Sequence, residues 1–396
     1  MIIHVAIPAM NEMDFIPKTI DCIRSQNCKS EVKVYVCVNQ PENYWENKDK
    51  IEICYNNQKT LNYLQKLELD NLYIIDHTSK GKGWSGKRSG VGIARKTLMD
   101  FIAKNSDKSD IVISLDADTT FNSNYFQSIS DNFSQNPKAV AISVPYYHNL
   151  TDDNKANRAI LRYEIYMRNY AILMHKIKSP FAFTALGSAI AYRVGAYNSI
   201  GGMSPVKSGE DFYFLQQLCK FGTVLTYNSE KVYPAARFSD RVFFGTGPAM
   251  IKGNLGDWES YPIYHNSLFA EIKKTYNALN QLFETDIEMP FLNFLKIQFK
   301  DDNFLQPLRD NFKTLEKFIR AFHTKANGLR ILQFLKLNQN SIKTSEIETL
   351  KDNYPEIEDI ILKNNHNKLL TELSTETLIS IREFLVKKED YELQNR

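Results

Sequence analysis

Ile111-Val112-Ile113-Ser114-Leu115-Asp116-Ala117-Asp118 is an apolar run, broken by one serine, that ends in two carboxylates. A short run without polar alternation reads as a strand covered on both faces, the kind found inside a parallel sheet. Upstream of it, Ile2 to Pro8, the β-branched Val32 to Val38 and Leu72 to Asp76 read as further strands, and Ala139 to Val144 follows downstream. Between them lie segments of helical spacing, Phe15 to Ser25 and Lys87 to Ala103. Pro17 suits the first turn of the former. Strands alternating with helices imply βαβ units, an α/β class and a mostly parallel sheet. Ligands on such sheets bind at the carboxyl ends of the strands. The places to look are Pro8 to Glu12, Asn39 to Glu42, Asp76 to Gly86 and Asp116 to Thr120.

Asp116 and Asp118 stand two residues apart at one of those ends. Carboxylates that close repel unless protons or a cation intervene. Hard oxygen ligands suit Mg²⁺ or Mn²⁺, and such an ion can bridge a diphosphate and neutralise charge on a leaving group. A plain surface turn, where Asp is common, is the alternative.

The 396 residues carry 49 Lys and Arg against 46 acidic side chains, a formal net charge of +3. That balance offers no general attraction to nucleic acid or anionic lipid. The five cysteines are odd in number and lack C-x-x-C spacing, so neither a disulfide scaffold nor a structural zinc site is expected. No basic segment followed by an apolar one opens the chain, and Phe181 to Ala191 is too short to cross a bilayer. A cytoplasmic location is the expectation. After about residue 260 Gly and Val thin out, and helical spacing appears at Phe312 to Phe322 and Leu369 to Leu385. Residues 262–396 therefore read as a helical C-terminal region.

Lys80-Gly81-Lys82-Gly83-Trp84-Ser85-Gly86-Lys87-Arg88 mimics two phosphate-binding patterns. As a P-loop it fails at Arg88, where Ser or Thr should hold Mg²⁺. As a dinucleotide fingerprint it fails by following a third strand rather than the first. What remains is a basic loop ahead of a helix, whose backbone N–H groups and lysines suit a diphosphate. A solvated basic loop is the bland reading. Further on, Glu210 and Asp211 open a helix, where acids are favoured by the macrodipole alone. In a functional reading one of them takes a proton from an attacking hydroxyl.

The chain resembles family 2 glycosyltransferases with the GT-A fold over roughly residues 1 to 250. Pro8-Ala9-Met10-Asn11-Glu12 resembles the family's P-x-x-N-E, Asp116-Ala117-Asp118 its metal-binding pair, and Gly209-Glu210-Asp211 its catalytic segment, with Gly201-Gly202 shortly before. The resemblance implies a GT-A-like domain over residues 1–261 and a Mn²⁺- or Mg²⁺-dependent hexosyl transfer from a nucleotide-diphosphate sugar. It implies Asp211 as base, with Glu210 in reserve, and therefore inversion. Pro8, Asn11, Glu12, Lys82, Lys87, Arg95 and Asp116 would bind the donor, and Asp118 with Asp116 the metal. His148 and His265 are candidates for a third metal ligand. Arg237 to Gly247 would form an acceptor-side loop. One departure is that the second strand ends at Asn39, where the family usually has an Asp on the nucleobase; the Asn39 amide can still bond a base edge. The Q-x-x-R-W signature of processive relatives is missing, so a single transfer to a glycan, lipid or small molecule is expected. Two alternatives stand beside this. Asp116 to Thr120 spells D-x-D-x-T, in which Asp116 would be the nucleophile of a haloacid-dehalogenase-like phosphatase. The other is a non-catalytic scaffold on the same fold.

Overall fold

The computed structural model describes residues 1–86, 89–206, 209–240, 245–362 and 369–394. The chain divides into two compact units, Met1–Ala156 with Phe183–Ile251, and Asn157–Ala182 with Lys252–Arg396.

In the first unit the elements are β1 (Ile3–Ala9), α1 (Ile16–Arg24), β2 (Val32–Asn39), α2 (Ile51–Lys66), β3 (Leu72–His77), α3 (Val91–Lys104) and β4 (Ile111–Ser114). They continue with β5 (Thr120–Phe121), α4 (Tyr125–Gln135), β6 (Ala139–Ser143), α5 (Asn154–Lys176), which runs on into the second unit, and β7 (Ile190–Arg193). Next come α6 (Val194–Ser199), α7 (Glu210–Phe221), β8 (Thr223–Leu225), β9 (Val232–Tyr233) and α8 (Thr246–Asn254). Among the described residues a seven-stranded sheet runs β3-β2-β1-β4-β7-β6-β8, with a small β5-β9 pair beside it. Four neighbouring pairs are parallel, and only β7 runs against its neighbours β4 and β6. This is the mostly parallel, helix-flanked sheet that the alternation of apolar runs predicts.

Burial explains which runs became central. Every residue of β1 and β4 is buried, whereas β3, at the edge, leaves Tyr73 exposed to 40%. Pro17 occupies the first turn of α1, where its missing N–H costs nothing. The apolar stretch Phe181 to Ala191 becomes irregular chain leading into β7. Among the described residues no helix is long and apolar enough to cross a membrane. All five cysteines are unpaired, and of them Cys37 and Cys54 are buried.

The second unit is helical, and α5 from Asn157 onward belongs to it. It contains α9 (Asn266–Asn277), α10 (Leu279–Glu284), α11 (Pro290–Phe299), α12 (Gln306–Asn311) and α13 (Leu315–Lys325). They are followed by α14 (Gly328–Gln339), α15 (Glu346–Asn353), α16 (Glu358–Leu362) and α17 (Thr375–Gln394). The helix expected at Phe312 starts only at Leu315, capped by the Thr314 hydroxyl, and the one expected at Leu369 starts at Thr375. Its interior holds charge: Glu164, wholly buried, accepts from Arg168, whose other nitrogen reaches Glu389 of α17 at 2.5 Å. Each of these three buried ions therefore faces an opposite charge.

Candidate active site

β1, β2, β3 and β4 all end toward the same edge of the sheet, because they are mutually parallel. Of the predicted site residues in the first half of the chain, Pro8, Asn11, Glu12, Asn39, Asp116 and Asp118 sit at or just beyond that edge.

Pro8 lies within β1, opposite Cys37 of β2, and is buried. After Ala9 the chain turns at Asn11, whose φ of 60° is a left-handed value that asparagine tolerates. The Asn11 backbone N–H donates to Asn57 Oδ1 at 2.7 Å, and the Glu12 carbonyl accepts from Phe15 and Ile16 to start α1. This leaves the Glu12 carboxylate, on a residue only 3% exposed, facing the tip of β4. At the end of β2, Asn39 Nδ2 donates to the carbonyls of Ala9 (3.1 Å) and Cys37 (3.3 Å). The amide is thereby fixed with Oδ1 as its remaining acceptor.

The glycine-lysine loop is organised differently from the sequence-based expectation. The Glu42 carboxylate accepts from the backbone N–H of Gly81 (2.8 Å) and Gly83 (2.7 Å), and Trp84 N–H donates to the Gln40 carbonyl. Lys82 pairs with Asp76 at 3.1 Å. The donors offered to a diphosphate at Gly81 and Gly83 are therefore engaged by a carboxylate, and the loop is strapped to the ends of β2 and β3. The His77 and Trp84 rings stack with their centroids 3.7 Å apart. Lys87 lies outside the described residues, and α3 begins at Val91 after Gly90 at φ 110°.

The centre of the site is Arg95, expected at the donor but 2% exposed. Gly92, one turn earlier on α3, permits the close approach of the chain ahead of α7: a Cβ there would lie 2.2 Å from the Val206 carbonyl and 3.6 Å from Glu210 Cβ. Arg95 donates to Asp116 Oδ1 (2.8 Å), Glu210 Oε1 (3.4 Å), the Gly187 carbonyl (2.8 Å) and the Ser114 hydroxyl. One guanidinium thus joins the tip of β4 to the first turn of α7. Burial draws the arginine's proton affinity down, but the carboxylates of Asp116 and Glu210 outweigh it, so the group is held firmly charged. Gly187 completes this seat, since a Cβ there would stand 2.3 Å from Arg95 Nη2. Gly187→Ala is accordingly expected to lower unfolding stability by about 1–3 kcal/mol through overpacking. Urea denaturation checks it, and an unshifted midpoint would show that the seat has room.

Asp211 follows Glu210, and its Oδ1 accepts from the Phe212 N–H at 2.7 Å. Burial, then the adjacent Glu210 charge, push its carboxyl up to about 7, although Arg95 pulls it back. The helix-end dipole favours a charged acid here, and desolvation overrides it. A carboxylate near neutrality in its proton affinity suits a general base.

Asp118 is held by a second arginine. Arg237 Nε and Nη2 donate to Asp118 Oδ2 at 2.9 and 2.6 Å, and Nη2 also meets both Glu12 oxygens at 2.7 and 2.8 Å. Burial raises the Asp118 carboxyl above its usual range; Arg237 opposes that, and Asp116 adds to it. As placed, these residues do not fit a divalent cation. Among the described residues no group of three or more His, Cys, Asp or Glu side chains is arranged to hold one, and each member of the acidic pair already faces a guanidinium. His265, a candidate third ligand, instead caps α9, its ring nitrogens against Ser267 and Asp352. His148 is buried beside Tyr146. Of the expected acceptor-side loop, residues 241–244 lie outside the described residues. The pairing roles of Glu42 and Arg237, and Gly187, had no signature in the sequence.

Residues 4–201, half of the chain, match the family model described as Glycosyl transferase family 2. No curated protein matches significantly. Among solved structures, S. aureus TarS 1-349 in complex with UDP-GlcNAc is similar at 13% identity and a TM-score of 0.42, over 99% of this chain and 89% of that one. The mannosyltransferase PcManGT from Pyrobaculum calidifontis, in complex with GDP-Man and Mn²⁺, is similar at 12% identity and a TM-score of 0.36, over 100% and 87%. Likenesses this loose position no individual residue.

Proposed function

The chain belongs to glycosyl transferase family 2, and we propose that it is an inverting, non-processive enzyme that moves a hexosyl group from a nucleotide-diphosphate sugar to an acceptor hydroxyl. The observation that supports this reading is the single guanidinium of Arg95 between Asp116, at the strand tip, and Glu210, beside Asp211. It brings a donor-side carboxylate close to the helix turn that carries the candidate base, within the first unit.

Asp211 takes the proton from the acceptor hydroxyl as its oxygen bonds to the anomeric carbon. The bond from that carbon to the diphosphate oxygen breaks, and the nucleoside diphosphate leaves. A single displacement of this kind inverts the sugar carbon. Glu210 and Asp116, held by Arg95, keep negative charge beside Asp211 and so keep it a strong enough base near neutral pH. Asn39 offers its Oδ1 to a donor N–H on the nucleobase, in the place where the family usually presents an aspartate. The Asn11 and Glu12 turn and Pro8 shape the floor beside it. A phosphatase working through Asp116 fits less well, since that carboxylate is pinned by Arg95.

A panel of nucleoside diphosphates and their sugars, read by thermal shift and followed by NMR of the product, tests the reading. At a ligand concentration of 100 Kd, binding adds about 2.7 kcal/mol of stability, enough to move the melting midpoint by a few degrees. At least one nucleotide-sugar is expected to do so and to yield a glycoside of inverted anomeric configuration. Indifference to the whole panel, or a retained configuration, would sink it.

A further inference from the structure

The buried face of α2 is made by Cys54, Asn57, Thr60, Leu61 and Leu64, and Asn57 is its one amide. Helix formation does not call for an asparagine there, and a wholly buried amide is costly unless its hydrogen bonds are met. Asn57 meets them at the ends of two strands. Its Oδ1 accepts from the Asn11 N–H at 2.7 Å, in the turn after β1. Its Nδ2 donates to the Asn39 carbonyl at 3.2 Å, at the end of β2, and to Gln40 Oε1 at 2.8 Å. The amide cannot be reversed, because a backbone N–H only donates and a backbone carbonyl only accepts. Gln40 enforces the same sense: its Oε1 also accepts from the Thr78 hydroxyl at 2.6 Å, and its Nε2 donates to Cys54 Sγ at 2.9 Å.

Both backbone groups that Asn57 holds belong to residues assigned above to the donor. Asn11 keeps a left-handed φ of 60°, which a residue other than glycine retains only where its surroundings fix it. Asn39 Nδ2 is engaged by the Ala9 and Cys37 carbonyls, so its side chain follows its own main chain. One buried side chain of α2 therefore sets the Asn11 turn and the Asn39 main chain in a single register. We infer that Asn57 is a positioning residue for donor binding: it holds Asn39 Oδ1 and the Asn11 turn where the nucleoside arrives. The inference rests on the glycosyltransferase reading for what is bound; the positioning itself concerns Asn57 and two backbone groups. Asp211 and Arg95 stand on other helices, so loss of Asn57 falls on donor affinity and leaves the chemical step nearly untouched.

The probe is the nucleoside diphosphate that stabilises the parent most in the thermal-shift panel, with its affinity measured by calorimetry on the full chain. Asn57→Ala is expected to weaken it about tenfold or more, the scale of one buried hydrogen bond, while kcat at saturating donor stays within about threefold. Thr78→Val takes a hydroxyl out of the same network without touching Asn11 or Asn39, and should lose stability yet keep the affinity within about twofold. Parental affinity in Asn57→Ala, or a loss in Thr78→Val as large as in Asn57→Ala, overturns the inference. Where Asn57→Ala is too unstable to assay, Asn57→Asp, matched in shape and lacking the two donors, must show the loss, and parental affinity there is equally fatal. Exchange of the Asn11 amide proton, followed by NMR without nucleotide, reads the positioning directly. It should be about tenfold or more faster in Asn57→Ala and unaltered in Thr78→Val. Equal rates in the parent and Asn57→Ala also overturn the inference. A chain whose Asn11 exchange behaves as expected but which binds no nucleotide would refute the function alone.

Discussion

Asp211→Asn is expected to lower kcat by about 10²- to 10⁴-fold, the usual range for a lost general base, while donor affinity changes little. The asparagine keeps the size of the side chain and its acceptor toward the Phe212 N–H, so geometry is preserved and only the proton acceptor is lost. In the parent the acid limb of kcat/KM should fall at about pH 7, because burial and the Glu210 charge raise the Asp211 carboxyl to that value. Activity belongs to the ionised form, so the rate rises with pH through this point and then levels. Stability moves the other way. Between about pH 4, where an unfolded Asp has lost its proton, and about pH 7, the folded chain still holds one, so unfolding stability declines as pH rises across that window. Asp211→Asn removes this decline, and the variant should be more stable than the parent at pH 8. Kinetics and urea titrations at pH 5 and 8 check both halves. A variant with parental kcat ends the role of Asp211; a variant less stable at pH 8 ends the account of its burial.

The parts of this site that the sequence discloses are those carried by local pattern. Continuous apolar runs announce β1, β2 and β4, and parallel pairing then sends Pro8, Asn39 and Asp116 to one edge without further information. The partners of those residues are hidden for a physical reason. Arg237 meets Glu12 across 225 residues of chain and Asp118 across 119, and no periodicity encodes such a pairing. Glu42 is equally silent: its carboxylate engages the N–H groups of Gly81 and Gly83 from 39 and 41 residues away, so two donors that look made for phosphate already have an acceptor. A glycine-lysine motif records which backbone groups exist, and leaves unsaid which acceptors have already taken them. β7 escapes notice because four residues between apolar neighbours are no signal of strand direction. Helical spacing in the C-terminal third is legible, yet it does not say that the α5 segment from Asn157 packs with those helices, because an apolar face does not name its partner.

Arg95 is the residue whose loss should cost most in stability. Its side chain is 2% exposed, and it faces Glu210, itself 5% exposed, and Asp116, which keeps 39% of its surface in water. Arg95→Met leaves Glu210 buried without a counter-charge, and breaking such a pair costs about 3–5 kcal/mol. Asp116 adds less, because water reaches it. Lysine is no remedy, since one ammonium cannot serve Asp116, Glu210, Gly187 and Ser114 from a single planar fork. If the orphaned carboxylate is the cause, Glu210→Gln in the same chain must return a large part of the loss, and a double-mutant cycle by urea denaturation measures how much. Losses that simply add would place the energy in Ser114 and the Gly187 carbonyl instead. The functional signature is separate and has a definite sign: Arg95 pulls the Asp211 carboxyl down, so Arg95→Met should move the acid limb of kcat/KM to higher pH, while Glu210→Gln alone should move it lower. Two substitutions on one hydrogen bond that shift one limb in opposite directions are what an electrostatic tie demands. A purely structural role for Arg95 predicts that both leave it where it was.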